Sequence, residues 1–372
     1  LGVTASHNPA EWNALKFAGG DGLFLDGERM ARFQAYLARG QLPRAPWDRL
    51  GSTSLDATAI DRHVQAILDL PFIDVEGLRR RAFHVALDCV HGAGGRMVPR
   101  LLAELGCRVS GMGLESDGRF PRDPEPTAAN LSGLGELVRS SGAEFGFAVD
   151  PDVDRLSLVD GGGEAVGEDL TLALCTEVVL GREWARGPVV TNLSTSQVVE
   201  DVARAAGVPC FRAPVGEVNV ARRMQAEGAV VGGEGNGGII LPRLHFTRDA
   251  PLGVALILQH LMESRRSLAE AVDRWPRYRI VKEKAPFPRE RIPEGYAALV
   301  AELGDGKAEE GSGVQVDRTD GIRLSWPHRR EWLHIRPSGT EPVVRFIAEA
   351  PDEDQAADLV RRGREILASV GS

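Results

Sequence analysis

The feature that most constrains this chain is a repeated alternation of element types. Between about residues 82 and 264, short β-rich runs alternate with segments of helical pattern. That grammar favours parallel α/β layers over bundles or sandwiches. Residues 83–88 read as a buried strand, 92–95 as its turn and 96–105 as a helix with Met97, Leu101, Leu102 and Leu105 on one face. Gly106 stops that helix. Residues 145–149 form another strand that runs straight into Asp150, and 156–159 follow as a strand closed by a glycine turn at 161–163. The pattern then repeats: helices at 168–180, 196–206, 217–227 and 249–264, and strands at 188–191, 208–212 and 229–232.

The last third changes character. Residues 276–293 are punctuated by proline and charge and read as a linker. Beyond them the patterns predict a helix at 295–303, strands near Val314, Ile322, Leu333 and Val343, and a helix at 352–369. Strands grouped before a helix indicate α+β. The expected fold is therefore tandem α/β domains with mixed, mostly parallel sheets, followed by a C-terminal α+β domain. At 372 residues the chain is too long for one core. A net charge of -9 and scattered basic residues argue against a nucleic-acid partner. Nothing approaches the roughly 18 consecutive apolar residues of a membrane span, so no membrane partner is expected. Cys89, Cys107, Cys175 and Cys210 lie in apolar runs with no CxxC pair, which reads as buried thiols in a reducing, cytoplasmic setting.

Four short segments carry chemistry. Ser6, flanked by His7, Asn8 and Pro9, sits in a turn because Pro9 keeps Asn8 out of helix. An exposed turn serine can act as a nucleophile or carry phosphate; taken alone, a Ser/Asn turn is the ordinary reading. Lys16, ten residues on, can balance phosphate charge or move a proton, or be a plain surface lysine. Asp150, Asp152 and Asp154 follow a buried strand, and alternate residues in extended chain point the same way. Three carboxylates on one side repel unless a cation lies between them, and hard oxygen ligands favour Mg²⁺. The plain alternative is an acidic loop with Arg155 as counter-charge. In the glycine-rich segment 233–238, Glu234 and Asn236 suit a pair of sugar hydroxyls, unless the segment is a simple strand-turn-strand. Arg336, Ser338, Gly339 and Thr340 make either an anion cradle or a polar turn between strands.

Together these segments resemble the α-D-phosphohexomutases, whose four loops occur here in family order. The resemblance implies four domains around a central cleft: residues 1–55 as the later part of the first domain, then 56–163, 164–275 and 276–372. It implies catalytic roles for Ser6, His7, Lys16 and Arg155, with Ser6 as the phosphoserine. Asp150, Asp152, Asp154 and the Ser6 phosphate would bind Mg²⁺. Glu234 and Asn236 would recognise the sugar, and Arg336, Ser338, Gly339 and Thr340 the substrate phosphate. The implied substrates are hexose or hexosamine phosphates, interconverted between 1- and 6-phosphate through a bisphosphorylated intermediate. Family members carry about half a domain before the serine loop, whereas this sequence opens at Leu1, already inside it. Asn236-Gly237-Gly238 and Gly216-Glu217 depart from the commoner family pattern, and the Glu234–Gly238 version of the loop resembles a subgroup labelled phosphoglucosamine mutase or phosphomannomutase/phosphoglucomutase. A metal-dependent sugar phosphatase and a non-catalytic sugar-phosphate binder are the competing readings.

Overall fold

The computed structural model describes residues 1–304, 313–338 and 343–371. A short antiparallel hairpin, β1 (Gly2–Val3) and β2 (Leu15–Lys16), opens the chain. Two four-stranded sheets follow. The first holds β3 (His84–Asp88), β4 (Arg108–Met112), β5 (Phe145–Val149) and β6 (Leu156–Val159), in the order β4-β3-β5-β6. The second holds β7 (Val189–Asn192), β8 (Cys210–Ala213), β9 (Val231–Glu234) and β10 (Gly238–Ile240), in the order β8-β7-β9-β10.

The two sheets share one plan. In each, the first strand pairs in parallel with the second and the third, and the fourth runs antiparallel to the third. The β5–β6 and β9–β10 connections are therefore equivalent, and both leave the C-terminal end of a parallel strand, where α/β ligand sites collect. The tandem, mostly parallel α/β reading holds. Burial explains the strand sequences: every residue of β5 and of β9 is buried, so neither shows the alternation of a half-exposed strand.

Two helices join the sheets. Glu168–Leu180 and Ala250–Ser264 bury residues around most of their circumference, and both belong to one apolar cluster that also takes in β3, β5 and β7. The Asp249 side chain accepts a hydrogen bond from the Leu252 amide, and Pro251 sits in the first turn; both fix where the second helix starts.

The C-terminal unit is a five-stranded antiparallel sheet: β11 (Arg279–Pro286), β12 (Gln315–Asp317), β13 (Ile322–Trp326), β14 (Glu331–Pro337) and β15 (Val343–Ala350), ordered β11-β15-β14-β13-β12. The helix Glu353–Gly371 packs on it, and a separate core forms around Ile322, Leu333, Phe346, Val360 and Leu367. The linker expected at 276–293 is not one: residues 279–286 pair along their whole length with β15. Their charged, half-exposed side chains suit an edge strand, and Pro286 falls at its last position, where a missing donor does least harm.

All four cysteines are free, with Cys89 and Cys175 buried, and burial pushes the Cys89 thiol up to about 12. Among the described residues no helix is long and apolar enough to cross a membrane.

Candidate active site

The β5–β6 connection carries the three aspartates. Val149 ends the buried strand, and Asp150 is fully buried at its tip. Asp150 Oδ1 accepts from the amides of Asp154 and Arg155, both at 3.0 Å, so its side chain folds the loop back on itself. Val153 adopts φ of 63°, in the left-handed region that β-branched residues avoid. Such strain persists only where surrounding contacts over-determine it. The turn brings one oxygen each of Asp150, Asp152 and Asp154 within 4.8 Å of one another.

Asp150 Oδ2, Asp152 Oδ1 and Asp154 Oδ1 are buried without a hydrogen-bond partner. Arg155 Nε stands 4.0 Å from Asp150 Oδ2 and 3.8 Å from Asp154 Oδ1, too far for a hydrogen bond. Buried carboxylate oxygens are otherwise satisfied in proteins, so this donor set fits a hard divalent cation. Burial, and then the charges of Asp154 and Asp152, push the Asp150 carboxyl well above the usual range. Burial pushes Asp152 the same way, but the Lys16 ammonium, a hydrogen bond with protonated Asp150 and the Arg248 charge together overcome it and hold Asp152 below its ordinary value.

The opening hairpin lies across this loop. Lys16 Nζ donates to Asp152 Oδ2 at 2.5 Å and stands 3.7 Å from Asp154 Oδ2. Burial lowers Lys16, but the two carboxylates more than offset it and leave Lys16 above the ordinary lysine value. Thr4 Oγ1 donates to the same Asp152 oxygen at 3.3 Å and accepts from the Ser6 amide at 2.9 Å. Ser6 itself has φ of 53°. Its hydroxyl lies 3.3 Å from His7 Nδ1, while His7 Nε2 is 3.4 Å from Arg155 Nη2. Arg155 Nη1 donates to Glu125 at 3.0 Å. Burial, helped by the Arg155 charge, lowers the His7 pKa. Ser6, His7, Lys16, Arg155 and the three aspartates thus form one cluster.

The equivalent β9–β10 connection holds Glu234 and Asn236. Glu234 is buried, and its oxygens are largely engaged: Oε1 accepts from Asn192 Nδ2 at 2.8 Å and the Gly216 amide at 2.9 Å, and Oε2 from Arg248 Nη1 at 2.7 Å. An oxygen with two lone pairs leaves room for one further hydroxyl at Oε2, not two. Burial raises Glu234, but Arg248 and the two donors on Oε1 overcome it and hold the carboxylate low. Asn236 Oδ1 accepts from the Gly238 amide at 3.2 Å, so its NH₂ is the group left to offer. Gly237 has φ of 82°, and a Cβ there would stand 2.2 Å from the Leu156 carbonyl oxygen. Only glycine permits this approach. It lets Gly237 O accept from the Leu156 amide at 3.1 Å, which bonds the two loops directly.

Arg248 ties them a second time. Its Nη2 donates to Asp154 at 2.5 Å and its Nη1 to Glu234, while Glu217 accepts from the Arg248 amide at 2.9 Å. Arg336, on β14, reaches the group through Asp320: Arg336 Nε lies 3.0 Å from Asp320 Oδ2, which also accepts from the Val215 amide. Ser338 is buried, with its amide donating to the Val343 carbonyl at 2.8 Å. Gly339 and Thr340 lie outside the described residues.

Three family models cover most of the chain. Domain II of phosphoglucomutase/phosphomannomutase, an alpha/beta/alpha domain, matches residues 61–163; domain III matches 167–278 and the C-terminal domain 281–366. A phosphoglucomutase/phosphomannomutase of Thermococcus kodakarensis is 35% identical over 366 residues, 98% of this chain and 77% of that protein. A probable phosphoglucosamine mutase of Methanopyrus kandleri is 37% identical over 358 residues, 96% of this chain and 76% of that one. The chain belongs to the α-D-phosphohexomutase superfamily. Solved phosphohexomutase structures share its fold. A Burkholderia thailandensis family protein superimposes with a TM-score of 0.81 at 23% identity, covering 99% of this chain and 75% of that one. The superfamily is metal-dependent, and Asp150, Asp152 and Asp154 form a possible metal site in this member.

Sequence reading missed Arg248, Glu125 and Asp320. Arg248 and Asp249 form a charged pair at the entry to a helix that is apolar over its first nine residues, and that was the available signal. Nothing in the spacing of Glu125 or Asp320 marks them, because each meets its partner only after folding.

Proposed function

We propose that this phosphohexomutase interconverts hexose or hexosamine 1-phosphate and 6-phosphate, with Ser6 as the residue that donates and recovers phosphate. The observation that carries the reading is the meeting of the Ser6 turn with three unsatisfied, buried carboxylate oxygens across the Thr4–Asp152 and Lys16–Asp152 bonds.

In the proposed reaction the Ser6 Oγ–P bond breaks as a free sugar hydroxyl forms a new O–P bond, and the hydroxyl proton leaves to a nearby base. The bisphosphorylated sugar turns over, and its other phosphate returns to Ser6. Asp150, Asp152 and Asp154 would hold Mg²⁺, which supplies charge compensation for the transferring group when bound. Arg155, fixed by Glu125, faces the same oxygens. Lys16, held as a cation, and His7, held largely neutral, are the residues placed to give and take protons beside Ser6. Glu234 and Asn236 would read sugar hydroxyls, one through Oε2 and one through the amide NH₂. Arg336 and Ser338, with Gly339 and Thr340, would bind the phosphate that is not reacting.

Magnesium and a sugar phosphate also occupy a distant fold relative: the N-acetylphosphoglucosamine mutase of Aspergillus fumigatus was solved in complex with GlcNAc-6P and magnesium. The phosphatase and non-catalytic readings find no support beside relatives named as mutases. Among sugars we put glucosamine phosphate first, because of the subgroup resemblance and the relatives named as probable phosphoglucosamine mutases; mannose and glucose phosphates stand close behind, because neither Glu234 nor Asn236 singles out a 2-amino group. A coupled assay with the three sugar phosphates, run beside intact-mass measurement, tests the proposal. The expected result is isomerised product with little free phosphate, and a phosphate on the wild type that Ser6→Ala loses together with turnover. Undiminished mutase turnover by Ser6→Ala would overturn it.

A further inference from the structure

Outside this site a second cluster has the composition of a metal centre. His63, on the helix Ala59–Leu68, and His245, in the segment after β10, both point Nε2 at one oxygen of Asp249, each at 2.9 Å. Their rings stack at 5.5 Å between centroids, and the three ligand atoms lie within 4.8 Å of one another. We propose that His63, His245 and Asp249 bind a borderline divalent cation of the Zn²⁺ class, separate from the oxygen-lined aspartate site.

Four features support this. The donor set is two imidazole nitrogens and one carboxylate, which suits Zn²⁺, Co²⁺ or Ni²⁺ and not Mg²⁺. The carboxylate is already oriented, because Asp249 Oδ1 accepts from the Leu252 amide at 2.9 Å and leaves Oδ2 toward the imidazoles. His245 has an outer partner: Thr247 Oγ1 lies 2.9 Å from its Nδ1. Metal-bound imidazoles commonly donate their second N–H to such an oxygen. Finally, the two histidine side chains keep 25% and 31% exposure, so a water can reach a fourth position while Asp249 stays buried.

Tetrahedral bonds of about 2.0–2.1 Å place ligand atoms roughly 3.3 Å apart, so each imidazole Nε2, now 2.9 Å from Asp249 Oδ2, must back away from that oxygen by a few tenths of an ångström. As the structure stands, the Thr247 amide donates to His245 Nδ1 at 3.2 Å, so the His245 proton sits on Nε2 and points at Asp249. Binding moves that proton to Nδ1, where Thr247 Oγ1 accepts it in place of the amide contact. His63 Nε2, which likewise donates to Asp249 in the metal-free protein, must also give up its proton, which moves to its own Nδ1, so both imidazoles bind neutral and neither releases a net proton. The ion would tie the helix Ala59–Leu68 to the start of the helix Ala250–Ser264, two elements far apart in sequence.

The test uses the whole chain with Mg²⁺ in excess to fill the aspartate site, and Co²⁺ as the probe. Bound Co²⁺ should show the intense visible bands of a tetrahedral, nitrogen-ligated ion, and one equivalent of Zn²⁺ should erase them. His63→Ala should abolish the bands and weaken Zn²⁺ by more than the 10–100-fold cost of losing an outer-shell partner. Thr247→Val, which removes only the outer oxygen, should weaken Zn²⁺ roughly tenfold, and it decides the matter if His63→Ala fails to fold. Asp152→Asn should leave the bands unchanged. Weak octahedral bands alone, or bands and affinity that survive both His63→Ala and Thr247→Val, would overturn the proposal.

Discussion

The β5–β6 and β9–β10 connections occupy the same place in twin sheets, yet they handle charge in opposite ways. In the first, Asp150, Asp152 and Asp154 each keep a buried oxygen without a partner. In the second, Glu234 is engaged by Asn192, Gly216 and Arg248. One loop is finished only by something added to it, and the other is finished by the fold. A buried carboxylate left short of partners is costly, so the first loop reads as reactive and the second as positional. The shared architecture supplies the place, and the side chains at the strand tip decide its use.

That contrast can be broken by experiment. The largest effect should come from the unfinished loop: Asp152→Asn should lower kcat/KM by about two to three orders of magnitude, the scale of removing one charge-stabilising group at a reaction centre. Chelation followed by Mg²⁺ addition should abolish and restore turnover in the wild type. Activity that persists in excess chelator would contradict the division of labour.

Arg248 joins the two loops, and its loss should be felt mainly as stability. Arg248→Met strips a partner from Asp154 and from Glu234, both buried, and should cost about 3 kcal/mol in urea unfolding. A variant as stable as wild type would show that the two carboxylates do not depend on their shared arginine.

The finished side extends to the C-terminal sheet, and there pH should act. His334 is fully buried, receives a hydrogen bond from Ser194 at 2.8 Å and donates to the Asp320 carbonyl at 2.7 Å. Burial lowers its pKa to about 4. An unfolded histidine binds its proton near 6.5, so the unfolded state gains protons first as pH falls. The stabilisation from neutral His334 is complete above about pH 6.5 and declines between 6.5 and 4. From pH 7 to pH 5 the loss is on the order of 2 kcal/mol, and it should be absent in His334→Gln.

The smallest effect belongs to the sugar side. Glu234→Gln keeps the shape but loses the charge facing Arg248. It should lower kcat/KM about tenfold for glucosamine, mannose and glucose phosphates alike, the scale of one charged hydrogen bond. A loss as large as that of Asp152→Asn would erase the distinction between the loops.

Much of this was legible before folding, for a physical reason. The aspartate cluster is local: three carboxylates within five residues at the end of a buried run announce themselves. The helices Glu168–Leu180 and Glu217–Glu227 are likewise set by local pattern. Arg248 could be read only as a charge at a helix entry and its role not at all, because its partners Asp154 and Glu234 come from different sheets. The strand at 279–286 was misread because an edge strand needs only one neighbour and tolerates the charge and proline that elsewhere mark a linker.

The separate core of the C-terminal unit has a mechanical consequence. That unit meets its neighbour through polar links: Gln197 with Glu349 and Arg330, Ser194 with His334, and Val215 with Asp320. Each can be exchanged for a contact with water at modest cost, and neither core need be disturbed. Arg336 lies on one side of this seam and the three aspartates on the other, so any opening of the seam changes their separation without unpacking either core. A sugar that must reverse itself inside a narrow enclosure needs one wall that yields and one that does not.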